Sequence, residues 1–317
     1  MYGWGGSTAG WKGSGKYDYG SARAAYDKIA ASAPPRAYSR KNEPDMKLVD
    51  PRGKTISSDS ADPIIIGVDV TGSMASWPGE IFDRLPLLYQ TLAKYRPDAE
   101  FSFCAIGDAT CDSFPLQVND FDKGVDLEAK LKALGCEGGG GGQISESYEL
   151  FGYFMREKCK TPKATSPFLL IFGDEKFYPD VNAKQVKHWI GDTLQDKLSS
   201  KQVWTDLMQR FNVYYLQKPY GSMHEAGTTK EVKEYWADAL GSQRVIDLPS
   251  MDRAVDVAMG LIAKHWGEYD DVKKSVKARH DSKVLAKVDK SLRHIVDKPV
   301  ATSVAPKTGS RLTRPLA

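Results

Sequence analysis

Asp69, Thr71 and Ser73 place one carboxylate and two hydroxyls at alternate positions within PIIIGVDVTGS, the stretch from Pro63 to Ser73. All three are hard oxygen donors, which suit Mg²⁺, Mn²⁺ or Ca²⁺ rather than zinc. A second aspartate, Asp174, follows another apolar run, Phe168 to Phe172, across Gly173. Between the two lie five consecutive glycines, Gly138 to Gly142, through which no regular element passes. Helix capping would need a single side-chain oxygen. Three oxygens meeting a further carboxylate are what a cation asks for.

The elements that must carry these residues are readable from their apolar patterns. Ile64 to Val68 contains no polar residue, the pattern of a strand buried on both faces of a parallel sheet. Ligands in such sheets sit beyond the carboxyl ends of strands, where Asp69, Thr71 and Ser73 fall. Phe168 to Phe172 reads the same way and delivers Asp174. Further strands are expected at Phe101 to Ile106, Val213 to Leu216, Val245 to Leu248, and Phe114 to Val118, the last an edge because Pro115 lacks a donor. Ile81, Leu85, Leu88 and Leu92 form one stripe of a helix over Pro78 to Tyr95, with Pro86 calling for a kink or a later start. Leu127 to Leu134, Ile144 to Lys158, Lys197 to Phe211, Lys230 to Leu240 and Met251 to Trp266 read as helices. Strands alternating with helices give an α/β class, a doubly wound, mostly parallel sheet of six strands flanked by helices.

The 317 residues suffice for a sizeable core, and the net charge of +3 is unevenly distributed. Residues 270 to 317 carry +7, residues 1 to 60 carry +4, and the stretch between them carries −8. An acidic middle suits cation binding, and basic ends attract acidic partners weakly. No apolar run approaches the ~20 residues of a membrane span, and residues 1 to 16 have no signal-peptide core, so a cytoplasmic protein is expected. The cysteines lack CxxC spacing and the histidines lack HExxH, which leaves zinc chemistry without ligands. Gly10 to Lys16 fits GxxxxGK, yet Tyr17 replaces the Ser or Thr that holds Mg²⁺ and no strand precedes it, so phosphate binding is discounted there.

Three regions follow. Residues 1 to 62 form a Gly- and aromatic-rich arm and linker, with a short helix over Ser21 to Ala33. Residues 63 to 267 form the α/β domain. Residues 268 to 317 form a basic extension in which Val284, Val288, Leu292 and Val296 predict an amphipathic helix over Ser282 to Val296. Lys287, Lys290 and Arg293 lie on its other faces, and a disordered tail is expected from Pro299.

Asp69, Thr71 and Ser73, the glycine loop and Asp174, in this order, resemble the metal-ion-dependent adhesion site (MIDAS) of von Willebrand factor type A domains. The first segment matches that family's DxTxS pattern, and the likeness spans residues 63 to about 265. The resemblance implies that Thr71 and Ser73 bind Mg²⁺, or Mn²⁺ or Ca²⁺, through their hydroxyls, while Asp69 and Asp174 bind it directly or through water. Gly140 to Gly142, Gln143, Ser145 and Glu146 fall in register with family members reading GGGD followed by PE. Gln143, or Ser145 with a shifted register, stands where the family places a further Thr or Asp ligand. Gly140, Gly141, Gly142 and Glu146 would then face the partner.

The function so implied is non-enzymatic. A partner protein presents an Asp or Glu to the metal, within a multiprotein system such as one with an AAA+ ATPase. An alternative is a phosphatase like the haloacid dehalogenases, which read DxDxT after a buried strand. Here Thr71 stands where the second acid belongs, and Asp180 follows the Gly173–Asp174 pair at a longer spacing than that family uses. A further alternative is a nucleic-acid-associated scaffold working through the basic tail and the aromatic N-terminus.

Overall fold

The structure, a computed structural model, describes residues 43–139, 142–221, 225–279 and 282–296. The expected helix over Ser21 to Ala33, the tail from Pro299, and Gly140 and Gly141 lie outside the described residues.

Six strands form the central sheet: β1 (Pro63–Asp69), β2 (Glu100–Ile106), β3 (Leu116–Val118), β4 (Phe168–Gly173), β5 (Asn212–Gln217) and β6 (Val245–Asp247). Their order is β6-β5-β4-β1-β2-β3, and all neighbours are parallel except β2 and β3. The class is therefore mixed α/β with a mostly parallel six-stranded sheet, as the alternation of patterns predicts. β3 is an antiparallel edge strand, and Pro115 falls just outside it.

Every residue of β1 is buried, because helices cover both faces of the sheet. Ile64, Ile66 and Val68 point into one core, with helices α1 (Trp77–Leu92), α2 (Leu127–Ala133) and, later in the chain, α6 (Ala254–Trp266). Ile65 points into the other, with α3 (Tyr148–Lys158), α4 (Ser200–Arg210) and α5 (Ala226–Leu240). Gly67 sits where space runs out: a Cβ there would meet Ile106 Cδ1 and Phe151 Cζ, each at 2.9 Å. Helix α1 begins at Trp77 and runs through Pro86.

Two departures matter for the site. The helix expected from Ile144 begins at Tyr148 instead, and Ser145–Glu146 forms a short strand parallel to Lys176–Phe177. The Lys176 N–H donates to the Ile144 carbonyl at 3.1 Å, which holds the segment extended. That pairing brings Glu146 alongside the residues that follow Asp174. The second departure is at the C-terminus. Tyr269–Arg279, where no element was expected, is helix α7, and Ser282–Leu292 is helix α8. Tyr269, Val272, Val276, Val288 and Leu292 enter the same core as α6. Upstream of β1, Val49 and Ile56 are also buried, so residues 43–62 lie against the domain. No helix among the described residues is long and apolar enough to cross a membrane.

Candidate metal centre

β1 and β4 are hydrogen-bonded neighbours, and the chain leaves them toward opposite edges of the sheet. Asp69 is the last residue of β1, and Asp174 follows the last residue of β4, so both carboxylates reach one crevice. Asp69 is fully buried, and its Oδ1 accepts from the Thr71 N–H at 2.9 Å and from the Thr71 hydroxyl at 2.6 Å. The Thr71 and Ser73 hydroxyls are 3.3 Å apart. Ser73 Oγ donates to Asp174 Oδ1 at 2.9 Å. A continuous chain of oxygens thus joins the two strand ends, although Ser73 and Asp174 are 101 residues apart.

The turn that presents the hydroxyls is held on two sides. Gly72–Met74 forms one turn of 3₁₀ helix, and Met74 is buried beneath it. Ala75, which follows, has φ 51° and ψ −119°, and is the one non-glycine residue with positive φ among the described residues. Such backbone persists where its surroundings enforce it, as at ligand sites. The glycine loop docks from above. Gly72 N–H donates to the Gly139 carbonyl at 2.5 Å, and Gly138 N–H donates to the Val70 carbonyl at 3.1 Å. A Cβ on Gly139 would lie 2.2 Å from Asp112 Oδ1, so a side chain there would have to displace the Asp112 carboxylate.

Three neighbours of the group had not been singled out from sequence. The Tyr148 hydroxyl donates to Asp69 Oδ2 from the start of α3. Lys218, directly after β5, donates from Nζ to Asp174 Oδ2 at 2.7 Å in a buried ion pair. Glu175 is buried beside Ser73, and the Tyr220 hydroxyl donates to its Oε1 at 3.4 Å. The only local signal was for Glu175, as the neighbour of Asp174.

The expected loop residues divide. Glu146 is buried close to Asp69 and Glu175, and its Oε2 has no hydrogen-bond partner among the described residues. Gly142 is exposed with φ 76°. Gln143 is turned elsewhere: its amide nitrogen donates to Asp108 Oδ2 at 2.6 Å, Tyr178 OH at 2.9 Å and Thr110 Oγ1 at 3.1 Å. Asp108 repeats the Asp69 turn at the end of the neighbouring strand, accepting from Thr110 N–H at 3.0 Å and Thr110 Oγ1 at 2.5 Å. It is saturated by these donors, by Gln143 and by the Tyr178 hydroxyl at 3.1 Å. Ser145 is held in the short strand opposite Lys176. The bonded chain therefore unites Asp69, Thr71, Ser73 and Asp174, and includes neither Gln143 nor Ser145.

Burial raises the pKa of three carboxyls that crowd this crevice, Asp69, Glu146 and Glu175. It pushes Asp69 up to about 8, with the Asp174 charge adding to it. It pushes Glu146 up to about 11, reinforced by Asp69 and Glu175, and Glu175 up to about 7, reinforced by Asp174. Lys218 is the ion-pair partner of Asp174 in this crevice.

No protein-family model and no curated protein sequence matches this chain. Solved structures that are similar include the pilus adhesin SpaC from Lactobacillus rhamnosus GG in its open conformation. It is 12% identical with a TM-score of 0.47, over 70% of this chain and 31% of the adhesin. Proximal thread matrix protein 1 from the mussel byssus is 11% identical with a TM-score of 0.44, over 66% of this chain and 48% of that protein. This chain thus spans less than half the length of either.

Among the described residues, no group of three or more His, Cys, Asp or Glu is arranged to hold a metal ion. The Asp69 group differs in kind, because two of its four residues offer hydroxyls rather than carboxylates. Oxygens about 2.1 Å from a Mg²⁺ and at right angles to each other stand about 3.0 Å apart. The separations of 2.6, 3.3 and 2.9 Å along the chain from Asp69 to Asp174 bracket that spacing. In donor type and in spacing these residues fit a small hard cation. The Lys218 ammonium opposes it, and the unpartnered oxygens of Glu146 and Glu175 favour it.

Proposed function

We propose that this chain is a non-enzymatic recognition module of the von Willebrand factor type A kind, with a doubly wound sheet and a MIDAS-like centre. In this reading Thr71 and Ser73 hold Mg²⁺, or Mn²⁺ or Ca²⁺, through their hydroxyls, and Asp69 and Asp174 supply the charge. The observation that carries the proposal is the Ser73–Asp174 hydrogen bond of 2.9 Å, which joins the ends of two adjacent parallel strands through hard oxygens only.

When bound, the cation supplies an electron-poor site for an Asp or Glu side chain of a partner protein. The protein's own part is to hold the hydroxyls rigidly and to limit negative charge. Tyr148 fixes Asp69 from below, and the Gly72–Gly139 and Gly138–Val70 hydrogen bonds fix the turn from above. Lys218 neutralises Asp174, so an incoming carboxylate meets less repulsion. The partner class that the resemblance implies is a component of a multiprotein system, such as an AAA+ ATPase. A dehalogenase-like phosphatase would need an acid two residues after Asp69, and that position is Thr71.

The test is a two-part titration. Mg²⁺ added to the metal-free protein should release heat on binding, and both Asp69→Ala and Ser73→Ala should abolish that signal while circular dichroism stays unchanged. Affinity capture from a lysate in Mg²⁺ should then retain an acidic-surfaced protein that EDTA elutes. Equal capture in Mg²⁺ and EDTA, or unimpaired Mg²⁺ binding by both variants, would sink the reading.

A further inference from the structure

A groove of about 560 Å³ runs along the outer edge of β6, between the end of α5 and helix α8. Its charged lining is Lys233, Asp247, Lys287, Lys290, Arg293 and His294. Four permanent cations face a single carboxylate, and that carboxylate is already engaged by Lys233 at 2.6 Å. Lys287, Lys290 and Arg293 form no ion pair with any described residue. Asp289, the acid nearest to them in sequence, pairs instead with Lys273 at 2.7 Å and accepts from the Tyr269 hydroxyl at 2.6 Å.

These cations are placed by a helix that cannot wander. Val288 and Leu292 are buried in the main core, and Ser291 Oγ donates to the Asp247 carbonyl at 2.7 Å, tying α8 to the edge strand. Lys287 and Lys290 are three residues apart on α8, Arg293 directly follows its last residue, and all three line the groove. Like charges at that spacing repel each other, and an anion between them relieves the repulsion. Leu248 and Pro249 give the groove an apolar floor. The chain beyond Val296 is not a fitting occupant, since residues 297–317 carry four Lys or Arg against one Asp.

We propose that this groove binds a small oligophosphate, a chain of two or more linked phosphates whose charges span Lys287, Lys290 and Arg293. The volume is that of a small-molecule site, and a single phosphate would leave part of the cationic row uncompensated. The site is independent of the Asp69 centre. Bare polyphosphate and a nucleotide share the recognised chemistry, and a base would lie on the Leu248–Pro249 floor.

The probes are inorganic triphosphate, ATP and adenosine, titrated calorimetrically into the full chain in EDTA so that no divalent cation bridges them. Triphosphate should bind, and its affinity should fall as NaCl is raised. The variant Lys287→Gln/Lys290→Gln/Arg293→Gln should bind about tenfold more weakly or worse, with an unchanged melting temperature because all three side chains are exposed. The His294 ring, held below its ordinary pKa by burial and by Lys233 and Arg293, should titrate at higher pH when triphosphate is bound. ATP binding more tightly than triphosphate, with adenosine alone inert, assigns the nucleotide; equal affinities assign the bare chain. Absence of triphosphate binding, or binding that survives the triple substitution, overturns the proposal. So does a single-stranded RNA oligomer that is bound through these three residues when triphosphate is not.

Discussion

Lys218 is the residue whose removal says most about the centre. Its ammonium is the counter-charge of fully buried Asp174, and breaking a buried pair by removing one partner costs about 3–5 kcal/mol. Lys218→Met is therefore expected to destabilise the metal-free protein by roughly that amount in urea titrations. The same change removes a cation from beside the oxygens of Ser73 and Asp174. Mg²⁺ should accordingly raise the urea midpoint of Lys218→Met more than that of the parent; an equal or smaller rise would place the ion elsewhere. Nothing local in the sequence points to Lys218. Its partner lies 44 residues away, and the two meet only because β4 and β5 are adjacent and end at the same level. Asp69, Thr71, Ser73 and Asp174 could be singled out in the sequence because Asp69 ends one buried strand, Asp174 follows another, and the two hydroxyls come within four residues of Asp69. Gln143 stands apart from the bonded chain because its amide donates to Asp108, which belongs to a different strand end.

At the scale of elements, β1 carries the tightest constraint. Gly67 lies between Ile106 and Phe151, with no room for a side chain. Gly67→Val should cost about 1–3 kcal/mol by overpacking, read as a lower urea midpoint with an unchanged slope. A midpoint equal to that of the parent would mean that the two cores yield more readily than their burial suggests. Long apolar runs made the central strands readable, because burial on both faces leaves few polar residues in them. The two-residue strands Ser145–Glu146 and Lys176–Phe177 were not readable, since a pair that short has no period. Helix α7 had a signal that went unused: Tyr269, Val272 and Val276 stand at helical spacing and are buried together.

For the whole molecule, the buried carboxyls set a pH dependence. Glu149 accepts from the Tyr178 N–H at 3.0 Å but leaves its other oxygen unpartnered, and burial pushes it up to about 8 from 4.5. Asp69, Glu146 and Glu175 are raised as well. The folded state keeps protons that the unfolded chain releases near pH 4.5, so the stability contributed by these raised groups is greatest below that pH. It then falls as pH rises toward 8. In EDTA the urea midpoint should drop between pH 5 and pH 8, and Glu149→Gln should flatten part of that slope, by about 1 kcal/mol or more at pH 8. A midpoint that climbs over this interval would contradict the assignment of these groups as proton carriers. The C-terminal helices bear on practice. A Cβ on Gly260 would meet Leu292 Cδ1 at 2.7 Å, so α6 and α8 are pressed together within a single interior. A recombinant fragment trimmed at Gly267, where composition alone suggests a border, would lay bare an oily flank of α6 and invite aggregation, whereas one extending through Val296 keeps that flank covered.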